Sequence, residues 1–222
     1  MKLKGYFKQL KIDLAPMTFS EKVDHIWTYN KELILIVAGT LFVVISLLVA
    51  FTQKPDVVFC GFLANADLTE EGTSYLTSGY GEVIGVTGKQ EAQLLTGFFN
   101  PEMTSAGDEN ESTWVQISAL CQERELDYVI SDKALINSMN LSELCMDLRE
   151  FFSEEEFARL QDKILYLERQ DGTKIPCAVN ISDTKFYKDC VDYPVDLYIC
   201  FLVNTQRVDR CHEFWDYLNN WK

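Results

Sequence analysis

Short polar side chains stand directly behind apolar segments of this chain, where they could bind a small ligand. They form three pairs, each behind a segment predicted to be a buried strand: Asn65 and Asp67, Ser131 and Asp132, and Asn180 and Ser182. Amide, hydroxyl and carboxylate groups can bind ligands in the crevice that an open α/β sheet leaves at its strand ends. The alternative is a structural role for all six as helix N-caps and turn residues.

The sequence contains none of the common catalytic motifs. Its two histidines are His25 and His212, and G-x-S-x-G, H-E-x-x-H, P-loop and G-x-G-x-x-G patterns are absent. Cys211 and His212 are adjacent, so on a helix they point about 100° apart and cannot act as nucleophile and base. We therefore expect no enzyme, no catalytic residue and no cofactor. An enzyme that uses only carboxylates remains an alternative, because acidic pairs leave no short signature.

The seven cysteines show no C-x-x-C pair and no metal-ligand spacing, so no metal site is predicted. Disulfides among Cys177, Cys190, Cys200 and Cys211 remain open. The net charge of −14 argues against nucleic acid as a partner, because a phosphate backbone would repel the protein.

The longest apolar run covers residues 33–51, which include no charged side chain. As a helix it would span roughly the 30 Å of a hydrocarbon core. The alternatives are a buried core helix and the apolar segment of a signal peptide. Against a signal peptide, the run begins far from the N-terminus and no small-residue cleavage pattern follows it. The sequence therefore predicts a transmembrane helix at 33–51, with a cytoplasmic tail at 1–32 and an extracellular domain at 52–222.

The lysines predict the orientation of this helix. Six lysines precede the run, and lysine-rich flanks stay cytoplasmic. We expect a single-pass protein of the cell membrane, with the lipid bilayer as a partner and the C-terminal domain outside. Before the run, an apolar stripe through Phe19, Val23 and Ile26 predicts an amphipathic helix, with Trp27 and Tyr29 at the membrane interface. A docking face for a partner protein is the alternative.

The C-terminal region alternates predicted strands and helices. Apolar runs predict strands at 57–64, 82–86, 126–131 and 196–203. An Asp-Gly turn at 171–172 predicts a hairpin between strands at 164–168 and 175–179. Helical spacing predicts helices at 68–77, 89–99, 132–139 and 208–221, with further helices beginning at Ser112 and Ser153. This order predicts an α/β domain with a mainly parallel sheet and one hairpin.

The last strand and helix resemble the late segment of type 2 solute-binding proteins. The residues that carry the resemblance are Asn204, Thr205, Phe214, Tyr217 and Leu218, with Cys211 where alanine is usual. Residues 126–139 resemble the inter-lobe strand and helix of that family. Residues 17–32 resemble the start of membrane-anchored bacterial proteins with a reduced solute-binding ectodomain. The resemblance implies a compact, periplasmic-binding-protein-like fold, and it assigns no ligand residues.

These patterns predict a non-enzymatic, membrane-anchored extracellular binding domain. Its partner would be a small ligand or an envelope or membrane protein. The alternative is a structural or accessory subunit of a membrane protein complex without a small ligand. Gly39 favours that alternative, because a neighbouring helix can approach closely at a glycine.

Overall fold

The computed structural model describes residues 12, 14–53, 55–99, 109–138, 143–169, 171–192 and 195–221. It divides the chain into two units, residues 1–54 and residues 55–222. The first unit contains one long helix, α1, at Phe19–Gln53. Thr18 precedes α1, and its backbone N–H donates to the Glu21 carboxylate at 2.8 Å, as expected for a residue that begins a helix.

The transmembrane prediction is corrected by this structure. In the described part of the chain, no helix has both the length and the apolar character that crossing a membrane requires. The run at 33–51 is not an element of its own, because it continues a 35-residue helix whose first turns carry Glu21, Lys22 and Asp24. The orientation, the membrane location and the lipid partner were derived from that span, and they stay predictions without its support.

The second unit is built on one mixed sheet. In the described residues six strands form it: β1 Asp56–Ala64, β2 Gln90–Gly97, β3 Tyr128–Asp132, β4 Ile164–Glu168, β5 Lys174–Asn180 and β6 Leu197–Phe201, in the order β2-β1-β3-β6-β5-β4. β1 is parallel to β2 and to β3, whereas the pairs β3–β6, β5–β6 and β4–β5 are antiparallel. The α/β class is confirmed and the mainly parallel sheet is wrong.

Helices and helical turns lie between the strands, and the last helix follows β6. They are α2 Glu70–Ser74, a π-helical turn Tyr75–Gly79, α3 Tyr80–Val83, α4 Glu109–Glu123, α5 Lys133–Ser138, α6 Leu148–Phe151, α7 Glu154–Leu160, a 3₁₀ turn Gln161–Lys163, α8 Lys185–Cys190 and α9 Val208–Asn219. The capping box of Ser153 and Glu156 begins α7, as its sequence pattern indicates. In α9 the buried residues are Cys211, Phe214, Trp215 and Leu218, a spacing that places them on one face.

Buried side chains lie on both faces of the sheet. Successive residues of a strand point to opposite faces, and Tyr128 and Ile130 of β3 belong to one core whereas Val129 belongs to the other. Leu76 and Phe214 join the first core, so the helical segment 70–83 and α9 cover that face. Ile117 of α4 and Leu135 of α5 join the second core.

Two local predictions are wrong, and strand pairing explains the first of them. The helix predicted at 89–99 is strand β2, and the strand predicted at 82–86 is helix α3 followed by a turn. In the first segment Ala92, Leu95 and Phe99 have helical spacing, but the backbone pairs with β1 from Asp56 to Ala64. Pairing with a strand distant in sequence outweighs a weak local pattern.

Candidate functional site

The connections around β1 create a switch point in the sheet. The chain passes from β1 to β2 through residues 70–83 on the face of the first core, and from β2 to β3 through α4 on the other face. β2 and β3 therefore flank β1 from opposite sides. In open α/β sheets a crevice for ligands lies at such a point, beyond the carboxyl ends of the strands.

A crevice of about 590 Å³ is present at this position, which we call the switch-point crevice. Its lining comes from the carboxyl ends of β1 and β2 and from the first turns of α4: Asn65, Ala66, Asp67, Thr96, Gly97, Phe98, Ser112, Thr113 and Gln116. The described lining includes carboxylate, amide and hydroxyl groups and no basic side chain. It can therefore accept hydrogen bonds from a ligand and attract positive charge.

Asn65 connects three elements at the edge of the crevice. Its Nδ2 donates to Oδ2 of Asp132 at 3.1 Å, and its Oδ1 accepts the backbone N–H of Phe99 at 2.7 Å. The backbone of Asn65 has φ 60°, a left-handed conformation that asparagine tolerates better than most residues. Asp132 also accepts the N–H of Leu135 at 2.9 Å, so its carboxylate begins α5 as an N-cap does.

Four other polar side chains of the crevice have no hydrogen-bond partner within the described part of the chain. The side chains of Asp67, Thr96, Ser112 and Gln116 make no hydrogen bond to another described residue. Asp67 uses only its backbone oxygen, which accepts the N–H of Asp192 at 3.1 Å. These four side chains can bind a ligand at no cost to the fold, whereas Asn65 and Asp132 already hold β1, β3 and α5 together.

The floor of the crevice depends on a close approach at Gly97. A Cβ atom there would lie 2.7 Å from the ring of Phe62 and 2.8 Å from Oγ1 of Thr113. Thr113 is buried and donates to the carbonyl of Phe98 at 2.8 Å. Gly97 thus allows α4 to pack directly on the end of β2, which brings Ser112 and Gln116 to the crevice.

The six residues predicted as one site are divided into two groups by the structure. All six are the last residues of strands or lie just after them, on the side of the sheet where β1, β3 and β5 end, because β5 runs in the direction of β3. Asn65, Asp67 and Asp132 lie at or beside the crevice. Asn180 and Ser182 lie on the far side of β6 from the crevice. Asn180 accepts the N–H of Ser182 at 2.8 Å, and Ser182 accepts the N–H of Leu197 at 2.9 Å. Ser131 is fully buried, and its hydroxyl has no partner among the described residues.

The two residues predicted at a membrane interface belong to α1. The side chain of Trp27 is 56 % exposed. The side chain of Tyr29 is not among those that the structure describes. The interface role of both aromatic residues stays a prediction.

A buried ion pair that lies near the starts of β1 and β3 was not predicted from the sequence. Asp127 is completely buried, and its carboxylate accepts hydrogen bonds from Cys60 N at 2.8 Å, from Arg207 at 2.9 Å and from the Thr205 hydroxyl. Burial raises the pKa of Asp127, and these hydrogen bonds oppose the rise. The one signal in the sequence was a charged residue at the start of an apolar strand; its partner lies 80 positions away.

All seven cysteines are free and buried. The disulfides that the sequence left open are not formed. Burial raises the pKa of Cys60 to about 12 and that of Cys121 to about 11, so these thiols are poor nucleophiles at neutral pH. Among the described residues, no cluster of three or more histidine, cysteine, aspartate or glutamate side chains could hold a metal ion.

The fold and the crevice define an α/β domain with a mixed sheet and a polar cleft at its switch point. Comparisons with protein families, with characterised proteins and with solved structures found no match for the chain. The resemblance to type 2 solute-binding proteins therefore stays a prediction.

Proposed function

We propose that residues 55–222 form a non-catalytic binding domain that holds a small polar ligand in the switch-point crevice. The observation that supports this function is the coincidence of the crevice with four side chains that have unused hydrogen-bonding capacity. Asp67 supplies a negative charge and the described lining supplies no positive one. The ligand class is therefore a small molecule rich in hydroxyl or amino groups, neutral or cationic.

The ligand lies at the edge of one sheet in this proposal. Residues 55–222 form one unit, so the crevice does not require two lobes that close on a ligand. Asn65 and Asp132 hold the edge in place, and Asp67, Thr96, Ser112 and Gln116 make the contacts. Pre-organisation of this kind reduces the ordering cost of binding.

The test is a thermal-shift screen of the full chain against polyols, amino sugars and small amines, followed by calorimetry on each compound that raises the melting temperature. Asp67→Asn removes the free charge of the crevice and should weaken binding about tenfold, because a hydrogen bond to a charged group contributes roughly 1.5–3 kcal/mol. Asp56→Asn is the matched control, since Asp56 is an exposed residue at the other end of β1. If no compound binds, or if both variants bind equally, the proposal is wrong.

The accessory-subunit alternative depends on α1. Large apolar side chains along this helix are exposed, among them Leu35, Phe42 and Leu48, and burial against another protein would remove them from water. Nothing in the structure shows what covers them, so we assign no partner. A stable complex that survives purification of the full chain, and that is lost when these three residues are changed to serine, would support this alternative.

A further inference from the structure

A second pocket lies at the same edge of the sheet, beyond β6. It has a volume of about 360 Å³ and is lined at the end of β5, the start of β4 and β6, and the start of α5. We call it the lysine pocket, after Lys133 and Lys163; its other polar lining residues are Asp162, Asn180, Asp183 and Tyr198. None of the proposed ligand contacts in the switch-point crevice belongs to it.

The lysine pocket offers a cationic hydrogen-bond donor, which the described lining of the crevice lacks. Lys133 is the first residue of α5 and makes no ion pair with a described residue. Asn180 uses its Oδ1 to accept the N–H of Ser182, which leaves its amide NH₂ group as a donor.

The two carboxylates of the pocket differ in their bonding. Asp183 forms an ion pair with Lys163 at 2.6 Å, so these two charges compensate each other. Asp162 has no ion pair or hydrogen bond to another described residue. The pocket therefore holds one available cation, Lys133, and one opposing carboxylate, Asp162.

A row of polar residues crosses the sheet beside this pocket. Ser131 of β3 lies opposite Tyr198 of β6, and Tyr198 lies opposite Asn180 of β5. Side chains of directly opposite residues share a face and lie close together. Ser131 itself does not line the pocket, and its hydroxyl is buried without a partner among the described residues.

We propose that the lysine pocket binds a small oxyanion, a carboxylate or a phosphate, through the Lys133 ammonium, the Asn180 amide and the Tyr198 hydroxyl. Each of these groups donates to an anionic oxygen, and a charged donor makes the strongest such bond. Asp162 opposes binding by charge repulsion. The same edge of the sheet would thus hold one site for a neutral or cationic ligand and one for an anionic ligand.

The experiment titrates the full chain with inorganic phosphate and, separately, with succinate by calorimetry, at constant ionic strength set with sodium chloride. Lys133→Gln should weaken binding of the anion about tenfold. Asp162→Asn should tighten it, because the repelling charge is removed. Lys174→Gln is the matched control, since Lys174 is exposed at the opposite end of β5, and it should leave the affinity unchanged.

The two probes identify the anion class. Tighter binding of phosphate than of succinate assigns the site to phosphate, and the reverse assigns it to carboxylates. Absence of binding by both probes overturns the proposal. Equal losses in Lys133→Gln and Lys174→Gln also overturn it, because they would indicate non-specific attraction. A loss of affinity in Asp162→Asn would show that Asp162 attracts the ligand and would contradict an anionic ligand.

Discussion

Arg207 donates a hydrogen bond from Nη1 to Oδ2 of Asp127 at 2.9 Å, and the Asp127 side chain is completely buried. Arg207 also donates to the carbonyl of Val57 at 3.1 Å and to the carbonyl of Glu125 at 3.2 Å. The pair therefore connects the start of α9 to the starts of β1 and β3. Its charges are largely shielded from water, so its loss should affect the whole domain.

Changing Arg207 to leucine should lower the free energy of unfolding by about 3 kcal/mol, because it leaves a buried carboxylate without its cation. Urea denaturation measures the change. Arg159→Leu is the matched control. It breaks the pair of Arg159 with Glu155, both of which are exposed, and should cost less than about 1 kcal/mol. Similar losses in the two variants would contradict the importance of the buried pair.

The stability of the domain should depend on the titration of Asp127. Burial raises the pKa of this carboxyl above its ordinary value of 3.8 in the folded state. A carboxyl whose pKa is higher in the folded state than in the unfolded state stabilises the folded state when it is protonated. This contribution is complete at a pH below the pKa of the unfolded state. It is lost as the pH rises through the pKa of the folded state. Asp127→Asn cannot titrate and lacks this contribution.

The quantity to follow is the unfolding free energy of the wild type minus that of Asp127→Asn. We expect this difference to fall as the pH rises from below 3.8 through the raised pKa of Asp127, and to be constant at higher pH. Urea denaturation of both proteins across this pH range provides the measurement. The subtraction removes the titration of groups common to both proteins. A difference that increases with pH would show that the hydrogen bonds to Asp127 outweigh its burial.

Asn65 should contribute to stability through both its backbone and its side chain. Asn65→Ala removes the hydrogen bonds to Asp132 and Phe99 and retains a Cβ atom at φ 60°. Asn65→Gly removes the same bonds but adopts this φ without strain. Thermal and urea unfolding should therefore show alanine to be the more destabilising by about 1 kcal/mol. Equal losses would mean that the left-handed backbone is not strained.

The buried thiols should react slowly in the folded protein. A chromogenic disulfide reagent at neutral pH should modify few of the seven cysteines before unfolding and all of them in denaturant. The physical reasons are lack of access and the raised pKa of thiols such as Cys60 and Cys121, which lowers the fraction of reactive thiolate. Rapid modification of one or more thiols in native buffer would contradict this prediction.

Local signals in the sequence were enough to predict several elements. The Asp171–Gly172 turn correctly predicted the β4–β5 hairpin, and Ser153 with Glu156 correctly predicted the start of α7. The apolar runs correctly predicted β1, β3 and β6 as buried strands. Each of these features depends on residues within a few positions of one another, and such interactions can be read without knowledge of the fold.

Only the tertiary structure decided the features that depend on distant pairs. β2 is a strand because it pairs with β1, and the sheet is mixed because β6 enters antiparallel beside β3. The polar residues after the strands form two groups rather than one because β6 separates β3 from β5. Asp127 and Arg207 are 80 positions apart in the sequence, so only the tertiary structure shows that the buried carboxylate has a cation beside it.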